Sequence, residues 1–194
     1  PGGYVTAIRA SQLGFKTAIV EKESLGGICL NWGCIPTKAL LKSAEVFHLV
    51  SDIEKYGIST ENTKFDIKKV VERSREVSKK LTNGVHYLLK KNNVDLIKGE
   101  GKLQGPGKLL IKQNDKLLEL NSKNIILATG ARSRNLEHIK ADGEHIWNYK
   151  DAMIPKTLPN SILIIGSGAI GVEFASFYNA FNSEVTLVEI QERI

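Results

Sequence analysis

The sequence holds two cysteines, Cys29 and Cys34, and both lie in one stretch, Gly26-Gly27-Ile28-Cys29-Leu30-Asn31-Trp32-Gly33-Cys34-Ile35-Pro36-Thr37-Lys38-Ala39-Leu40-Leu41. Two thiols at this separation can do reversible two-electron chemistry if they pair. An ideal helix holds residues i and i+5 about 9 Å apart at Cα, whereas a disulfide tolerates roughly 4.4 to 6.8 Å. Pairing therefore requires a tightened backbone between them. Gly33, without a Cβ, is placed to absorb that distortion, and a strained near-surface bridge is the labile kind, not the structural kind. The alternative is two separate thiols packed in a core, a common fate of cysteine. The flanks bear on the choice. Gly26-Gly27 lets the backbone pass close to a flat ligand, Pro36-Thr37 reads as a helix start, and a helix start beside a cysteine favours thiolate.

A second constellation fills residues 161–194. A strand at 162–165 runs into Gly166-Ser167-Gly168-Ala169-Ile170-Gly171, then a helix through Phe177 and Phe181, a strand at 185–188, and Glu189. Strand, glycine turn, helix, strand and terminal acid follow the order of a dinucleotide site, where a pyrophosphate sits on the helix N-terminus and the acid accepts ribose hydroxyls. The acid repels a 2′-phosphate, so the nucleotide expected here is NAD and not NADP. An incidental glycine turn is the alternative. Residues 1–21 repeat the pattern in shortened form: Pro1-Gly2-Gly3, a helix through Tyr4, Ala7, Ile8 and Leu13 stopped by Gly14, a strand at 17–20, then Glu21. Gly3 stands in the place of the third fingerprint glycine, and the strand and the two earlier fingerprint glycines would fall before Pro1. Taken alone, Glu21 also fits a surface residue after an edge strand.

The elements that must position these groups follow from periodicity. Leu40, Leu41, Ala44, Phe47 and Val50 recur at helical spacing over 37–50, so the cysteine stretch runs on into a buried helix carrying Lys38 in its first turn. A lysine there opposes the helix dipole, although a plain surface role would also account for it. A long helix is expected over 66–91, with Ile67, Val70, Val71, Val77, Leu81, Val85 and Leu88 on one face. A short strand at 94–98 leads to Gly99-Glu100-Gly101, read as a close backbone approach. Strands at 108–113 and 117–120 form a hairpin through Asn114-Asp115. Residues 124–127 have the character of a parallel strand, ended by the turn Ala128-Thr129-Gly130-Ala131. Loops fill 131–160, and Leu158-Pro159-Asn160 marks a boundary.

Composition narrows the function classes. The chain has 194 residues, 42% of them hydrophobic, and can bury a sizeable core in one or two domains. No run of eighteen apolar residues predicts a membrane helix, and no leader pattern is present. The net charge of +6 raises nucleic acid as a partner, but the excess lies largely between Lys64 and Lys91, interleaved with helix-period apolar residues. That pattern fits a solvated helix face, so neither nucleic acid nor membrane is an expected partner. His48, His86, His138 and His145 show no metal-ligand spacing with the cysteines, and no metal is expected. Two cysteines in such a chain argue against a secreted disulfide scaffold, and a disulfide in a reducing compartment is usually catalytic.

The segment GGICLNWGCIPTKALL resembles the redox-disulfide segment of the class I flavin-dependent pyridine nucleotide-disulfide oxidoreductases. Within them it is most similar to the branch that oxidises a protein-bound dihydrolipoyl group with NAD. The resemblance implies an α/β fold of two Rossmann-like, three-layer domains, both incomplete here: an FAD-binding domain over 1–150 lacking its first strand, and the start of an NAD-binding domain over 151–194. It implies a Cys29–Cys34 redox disulfide, with Cys29 as the interchange thiol and Cys34 facing the flavin. Lys38 would approach the flavin ring and pair with Glu173. FAD contacts are implied for Gly2, Gly3, Glu21, Lys22, Gly26, Gly27, Cys29, Cys34, Lys38, Gly101, Thr129, Gly130 and Ala131, with Gly101 near the adenine. NAD contacts are implied for Gly166, Gly168, Ala169, Ile170, Gly171 and Glu189, and Glu173 is implied as a cofactor contact that tunes the flavin ring with Lys38, so that Cys29, Cys34, Lys38 and Glu173 are the implied catalytic residues.

The same resemblance implies, as partner, the lipoyl domain of a 2-oxoacid dehydrogenase or glycine cleavage complex. It also implies a homodimer, a cytoplasmic or mitochondrial-matrix location, and a His–Glu base supplied from a C-terminal domain of the partner subunit. None of the four histidines here lies in the matching context, so these residues alone are expected not to turn over. Mercuric and glutathione reductases are the neighbouring readings within the family. Glu189, Ile35-Pro36-Thr37-Lys38 and the small Ala169 depart from the glutathione reductase pattern. A non-catalytic flavoprotein segment serving as a subunit contact is the reading from another class, and it has no need of both cysteines, Lys38 and Glu189.

Overall fold

The computed structural model describes residues 1–193. The chain divides into two compact units, each discontinuous in sequence. One is Pro1–Asn31 with Lys79–Ala131, the other Trp32–Ser78 with Arg132–Ile194.

The first unit opens with α1 (Gly2–Gln12), which ends at Leu13 before Gly14, whose φ of 88° reverses the chain where a side chain would be strained. Strand β1 (Ala18–Glu21) follows, then a short helix, α2 (Gly27–Trp32), most of which belongs to this unit. The next helices are α3 (Cys34–Ser51), described below, and α4 (Ile67–Lys91), whose C-terminal half returns to the first unit. Strand β2 (Asp95–Lys98) then pairs parallel with β1, Ala18 opposite Asp95 through Glu21 opposite Lys98. Strands β3 (Glu100–Gly105), β4 (Lys108–Gln113) and β5 (Lys116–Asn121) form an antiparallel meander. The β4–β5 turn is the expected Asn114-Asp115, with Asn114 left-handed at φ 50°. Ala7, Leu25, Leu30, Val85, Leu89, Val94 and Ile111 are the buried apolar residues of this unit.

Two expectations are corrected here. Gly99-Glu100-Gly101 is more than a close approach, because Glu100 begins a full strand, β3. The close contact belongs to Gly99, at φ 154°, where a Cβ would lie 2.6 Å from Ile111 Cγ2 and 2.7 Å from the Lys112 carbonyl oxygen. Residues 124–127, expected as a parallel strand, form none, and Ile126 and Leu127 are 67% and 66% exposed. An apolar run becomes a buried parallel strand only when neighbouring strands satisfy its backbone, and the parallel sheet of this unit consists of β1 and β2.

In the second unit, α3 is followed by a 3-10 turn, Ile53–Tyr56, closed by Gly57 at φ 73°. The start of α4 is capped by Asp66, which accepts the N–H of Lys68 at 3.0 Å and of Lys69 at 3.3 Å. Helix α5 (Tyr149–Met153), unforeseen from the sequence, starts with a capping box between Asn148 and Asp151. Strand β6 (Ser161–Ile165), helix α6 (Ala169–Ala180) and strand β7 (Glu184–Val188) form the expected βαβ unit, with β6 and β7 parallel. Leu40 and Ala44 of α3 and Phe174, Phe177, Tyr178, Ala180 and Phe181 in and after α6 share one buried cluster with Met153. Phe47, Phe65 and Phe181 extend it as an aromatic triangle with centroids 4.9 to 5.5 Å apart. Tyr178 donates its hydroxyl to the Ala152 carbonyl at 2.6 Å, and burial pushes its pKa up. No helix of the described residues is long and apolar enough to cross a membrane.

Phe177 is fully buried in this cluster. Phe177→Ala in the whole protein should lower unfolding stability by about 3–5 kcal/mol, whereas Leu117→Ala, on the exposed β5, should change it by less than ~0.5 kcal/mol. Urea denaturation checks both; a Phe177→Ala cost within that smaller range would show that the cluster does not hold the unit together.

Candidate functional site

In the first unit the glycines that open α1 leave room for a ligand. A Cβ on Gly2 would meet nothing within 4 Å, and one on Gly3 would rest 3.5 Å from Ala128 Cβ. Glu21 stands at the end of β1, where its Oε1 accepts the Glu23 N–H at 2.8 Å. Its Oε2 takes no hydrogen bond among the described residues. Lys22 next to it pairs with Glu100 at 3.2 Å. Gly101 lies opposite Ile111, and a Cβ there would approach Leu109 at 3.4 Å and Val20 at 3.6 Å. Thr129, Gly130 and Ala131 are exposed at the end of the unit, Gly130 left-handed at φ 75°.

Gly26 and Gly27 are consecutive left-handed residues, at φ 90° and 67°, and set up the turn into α2. Asn31, buried and given no role from the sequence, fixes that turn. Its Nδ2 donates to the Leu25 carbonyl at 2.8 Å and the Gly27 carbonyl at 2.9 Å, and its Oδ1 accepts the Thr82 hydroxyl at 3.1 Å. Cys29, half-buried, is carried on the helix so anchored. The only sequence signal for Asn31 is an amide inside an otherwise apolar short helix.

Gly33 interrupts the helix where distortion was expected, with φ −142° and ψ −123°. Cys34 is the first residue of α3 and is exposed; the structure shows no disulfide between it and Cys29. The helix thus starts three residues before Thr37, a correction to the sequence reading. Pro36 is accommodated because first-turn amides lack helical acceptors in any case. Thr37, buried, ties the turn by donating both its N–H and its hydroxyl to the Gly33 carbonyl, at 3.0 and 2.8 Å. Trp32 lies beneath the Arg75 guanidinium, 4.2 Å from the ring centroid, and within 5.4 Å of the Lys150 ammonium, contacts of cation–π type. Lys38 and Glu173 are brought together, Nζ to Oε1 at 3.8 Å. With Lys38 68% exposed, the pair contributes about 0–1 kcal/mol at most to stability, so its meaning is positional.

The second glycine turn is fully formed. A Cβ on Gly171 would fall 2.0 Å from the Gly166 carbonyl oxygen, so this glycine permits the close turn, whereas Gly166 and Gly168 face open space. Helix α6 makes its first hydrogen bond from Val172 N–H to the Gly168 carbonyl at 3.1 Å, and no side chain caps it. The Ala169, Ile170 and Gly171 amides therefore form a donor-rich, electropositive end suited to a pyrophosphate. Glu189 closes the site. Its Oε2 accepts both the N–H and the hydroxyl of Ser167 at 2.7 Å, and its Oε1 accepts the N–H of Ile190 at 2.8 Å and of Gln191 at 2.9 Å. The Ser167 N–H foremost, with the Gln191 N–H and the Ser167 hydroxyl, lowers the Glu189 pKa to about 2. Among the described residues no cluster of three or more His, Cys, Asp or Glu is arranged to hold a metal ion.

The sequence model of the family described as pyridine nucleotide-disulphide oxidoreductase matches residues 1–194. The chain is 53% identical over 192 residues to a dihydrolipoyl dehydrogenase of Zymomonas mobilis, a match covering 97% of this chain and 41% of that protein. It is 50% identical to one of Rhizobium etli, covering 100% and 44%. The chain thus spans somewhat over two-fifths of the length of these curated relatives. Among solved structures, the copper(II) complex of the HOCl-induced flavoprotein disulfide reductase RclA from Escherichia coli superposes with a TM-score of 0.83 at 28% identity, covering 98% of this chain and 40% of that one. LpdA of Mycobacterium tuberculosis superposes at 0.87 with 21% identity, covering 98% and 42%, a likeness of fold.

The depressed pKa of Glu189 carries a stability consequence with a definite sign. Its contribution is present above the ordinary carboxylate value of 4.5 and is lost as pH falls through about 2. The difference in urea midpoint between the whole protein and its Glu189→Gln variant should be constant near neutrality and shrink between those two values. A difference that keeps its neutral size at a pH of about 3 would show that the hydrogen bonds to Ser167 and Gln191 do not favour the ionised form.

Proposed function

Because the chain belongs to the pyridine nucleotide-disulphide oxidoreductase family, we propose that the whole protein is a dihydrolipoyl dehydrogenase, oxidising a protein-bound dihydrolipoyl group with NAD through Cys29, Cys34 and FAD. The observation that carries this reading is the 3.8 Å Lys38–Glu173 pair. It links the first turn of the helix opened by Cys34 to the helix of the glycine turn, as expected for a thiol pair, a flavin and a nicotinamide in series. The relatives named dihydrolipoyl dehydrogenase support the substrate class.

On this reading residues 1–150 form the FAD domain and 151–194 begin the NAD domain. The open side of Gly2, the free oxygen position on Glu21 and the Gly26-Gly27 turn fit an adenosine diphosphate and flavin. FAD, when bound, supplies a two-electron relay between thiols and nicotinamide. Gly166, Gly168 and the α6 amides hold the NAD pyrophosphate, Glu189 takes the ribose, and its charge disfavours a 2′-phosphate. In the oxidised form, with Cys29 and Cys34 joined, a substrate thiolate bonds to the Cys29 sulfur and breaks the Cys29–Cys34 bond, leaving Cys34 as thiolate. The second substrate thiolate then closes the cyclic disulfide and releases Cys29. Dithiol and NAD become cyclic disulfide, NADH and one proton, so electrons balance. Lys38, paired with Glu173, would hold its charge near the flavin ring when that group is bound. The substrate carrier is the lipoyl domain of a 2-oxoacid dehydrogenase or glycine cleavage complex, and the working form is a homodimer located in cytoplasm or mitochondrial matrix.

The test is anaerobic reaction of the whole protein with dihydrolipoamide. NADH should form, and Cys29→Ser and Cys34→Ser should each lower that rate by at least about a thousandfold while keeping bound flavin. NADH formation undiminished in Cys29→Ser, or reduction by glutathione where dihydrolipoamide fails, would overturn the assignment.

A further inference from the structure

We propose that the Ser167 hydroxyl is a displaceable occupant of the ribose position on Glu189, and that it sets the affinity of the protein for NAD. This rests on the dinucleotide reading of the Gly166–Gly171 turn. A carboxylate offers about four acceptor positions. On Glu189 all four are taken: by the Ser167 N–H, the Ser167 O–H, the Ile190 N–H and the Gln191 N–H. Ribose hydroxyls can bond to this carboxylate only by replacing a donor already there.

Three of the four donors are backbone amides. The Ser167 N–H belongs to the glycine turn, and those of Ile190 and Gln191 belong to the chain leaving β7, so moving any of them means rebuilding backbone. The fourth donor is a hydroxyl on a single-bond rotor and can leave without moving the backbone. Ser167 is itself 8% exposed, so water does not compete freely for its hydroxyl before the nucleotide arrives. Glu21 provides the contrast within the same chain: one of its oxygens accepts the Glu23 N–H, and the other takes no hydrogen bond among the described residues. The first acid is ready for a ribose, whereas the second breaks one charge-assisted hydrogen bond for the first it makes.

The experiment is titration calorimetry of the whole flavin-loaded protein with ADP-ribose, which carries the adenosine ribose and pyrophosphate and does no redox chemistry. Ser167→Ala and Ser167→Gly should bind ADP-ribose about 10-fold more tightly, near the low end of what one hydrogen bond to a charged group commands. Ser167→Thr, which keeps the hydroxyl, should match the wild type, and in a Glu189→Gln background the gain from Ser167→Ala should vanish. Glu189→Gln alone should weaken binding. If it does so while Ser167→Ala and Ser167→Gly bind no more tightly than wild type, the hydroxyl is not a competitor and the proposal falls while the ribose reading stands. If Glu189→Gln leaves binding unchanged, the acid is not on the ribose and both fall.

Discussion

The packing of α3 on α6 is the constraint on which the chemistry of the second unit depends. Leu40 and Ala44 from the helix that Cys34 opens lie in one cluster with Phe174, Phe177 and Tyr178 from the helix that the glycine turn opens. Side chains on a helix face recur every three to four residues, so once Leu40 and Phe174 are buried, Lys38 and Glu173 have little freedom in where they emerge. Their ion pair is too exposed to hold the helices together. It is a product of the apolar contact, which explains how a weak pair can still be accurately placed.

The two units handle the same problem, an acid at the end of a βα strand, with different local chemistry. Glu21 spends one oxygen on the turn that follows it, and Glu189 spends both on the turns before and after. In each case the carboxylate shapes the backbone next to it. A basic residue at 189, which has no acceptor, would therefore remove the structural tie to Ser167 together with the charge.

The sequence made legible what local chemistry determines. The glycine turn at Gly166–Gly171, the Asn114-Asp115 hairpin and the α4 start at Asp66 are encoded by residues next to the structure they form, and each stands where it was read. The break at Gly33 was foreseen from the spacing of Cys29 and Cys34, although the helix after it began earlier than Pro36-Thr37 suggested. What escaped depends on partners distant in sequence. Asn31 acquires meaning through Thr82, and residues 124–127 fail as a strand because no neighbour pairs with them. Glu100 joins a sheet because β4 lies alongside. Ser167 reads in the sequence as a spacer between glycines, since nothing in the turn itself shows that a carboxylate twenty-two residues on returns to it.

The pKa of about 2 at Glu189 also fixes how the site behaves in different surroundings. The group that would distinguish a ribose hydroxyl from a phosphate is ionised at any pH in which a cell operates, and it is balanced by backbone dipoles and a hydroxyl with no mobile cation among its hydrogen-bond donors. Short-range dipolar compensation of this kind is little affected by dissolved ions beyond the Debye length. Acidification within a compartment would leave the charge of this carboxylate unaltered, so any pH dependence in a choice between a ribose hydroxyl and a 2′-phosphate there would come from the phosphate, whose second proton leaves at about pH 6.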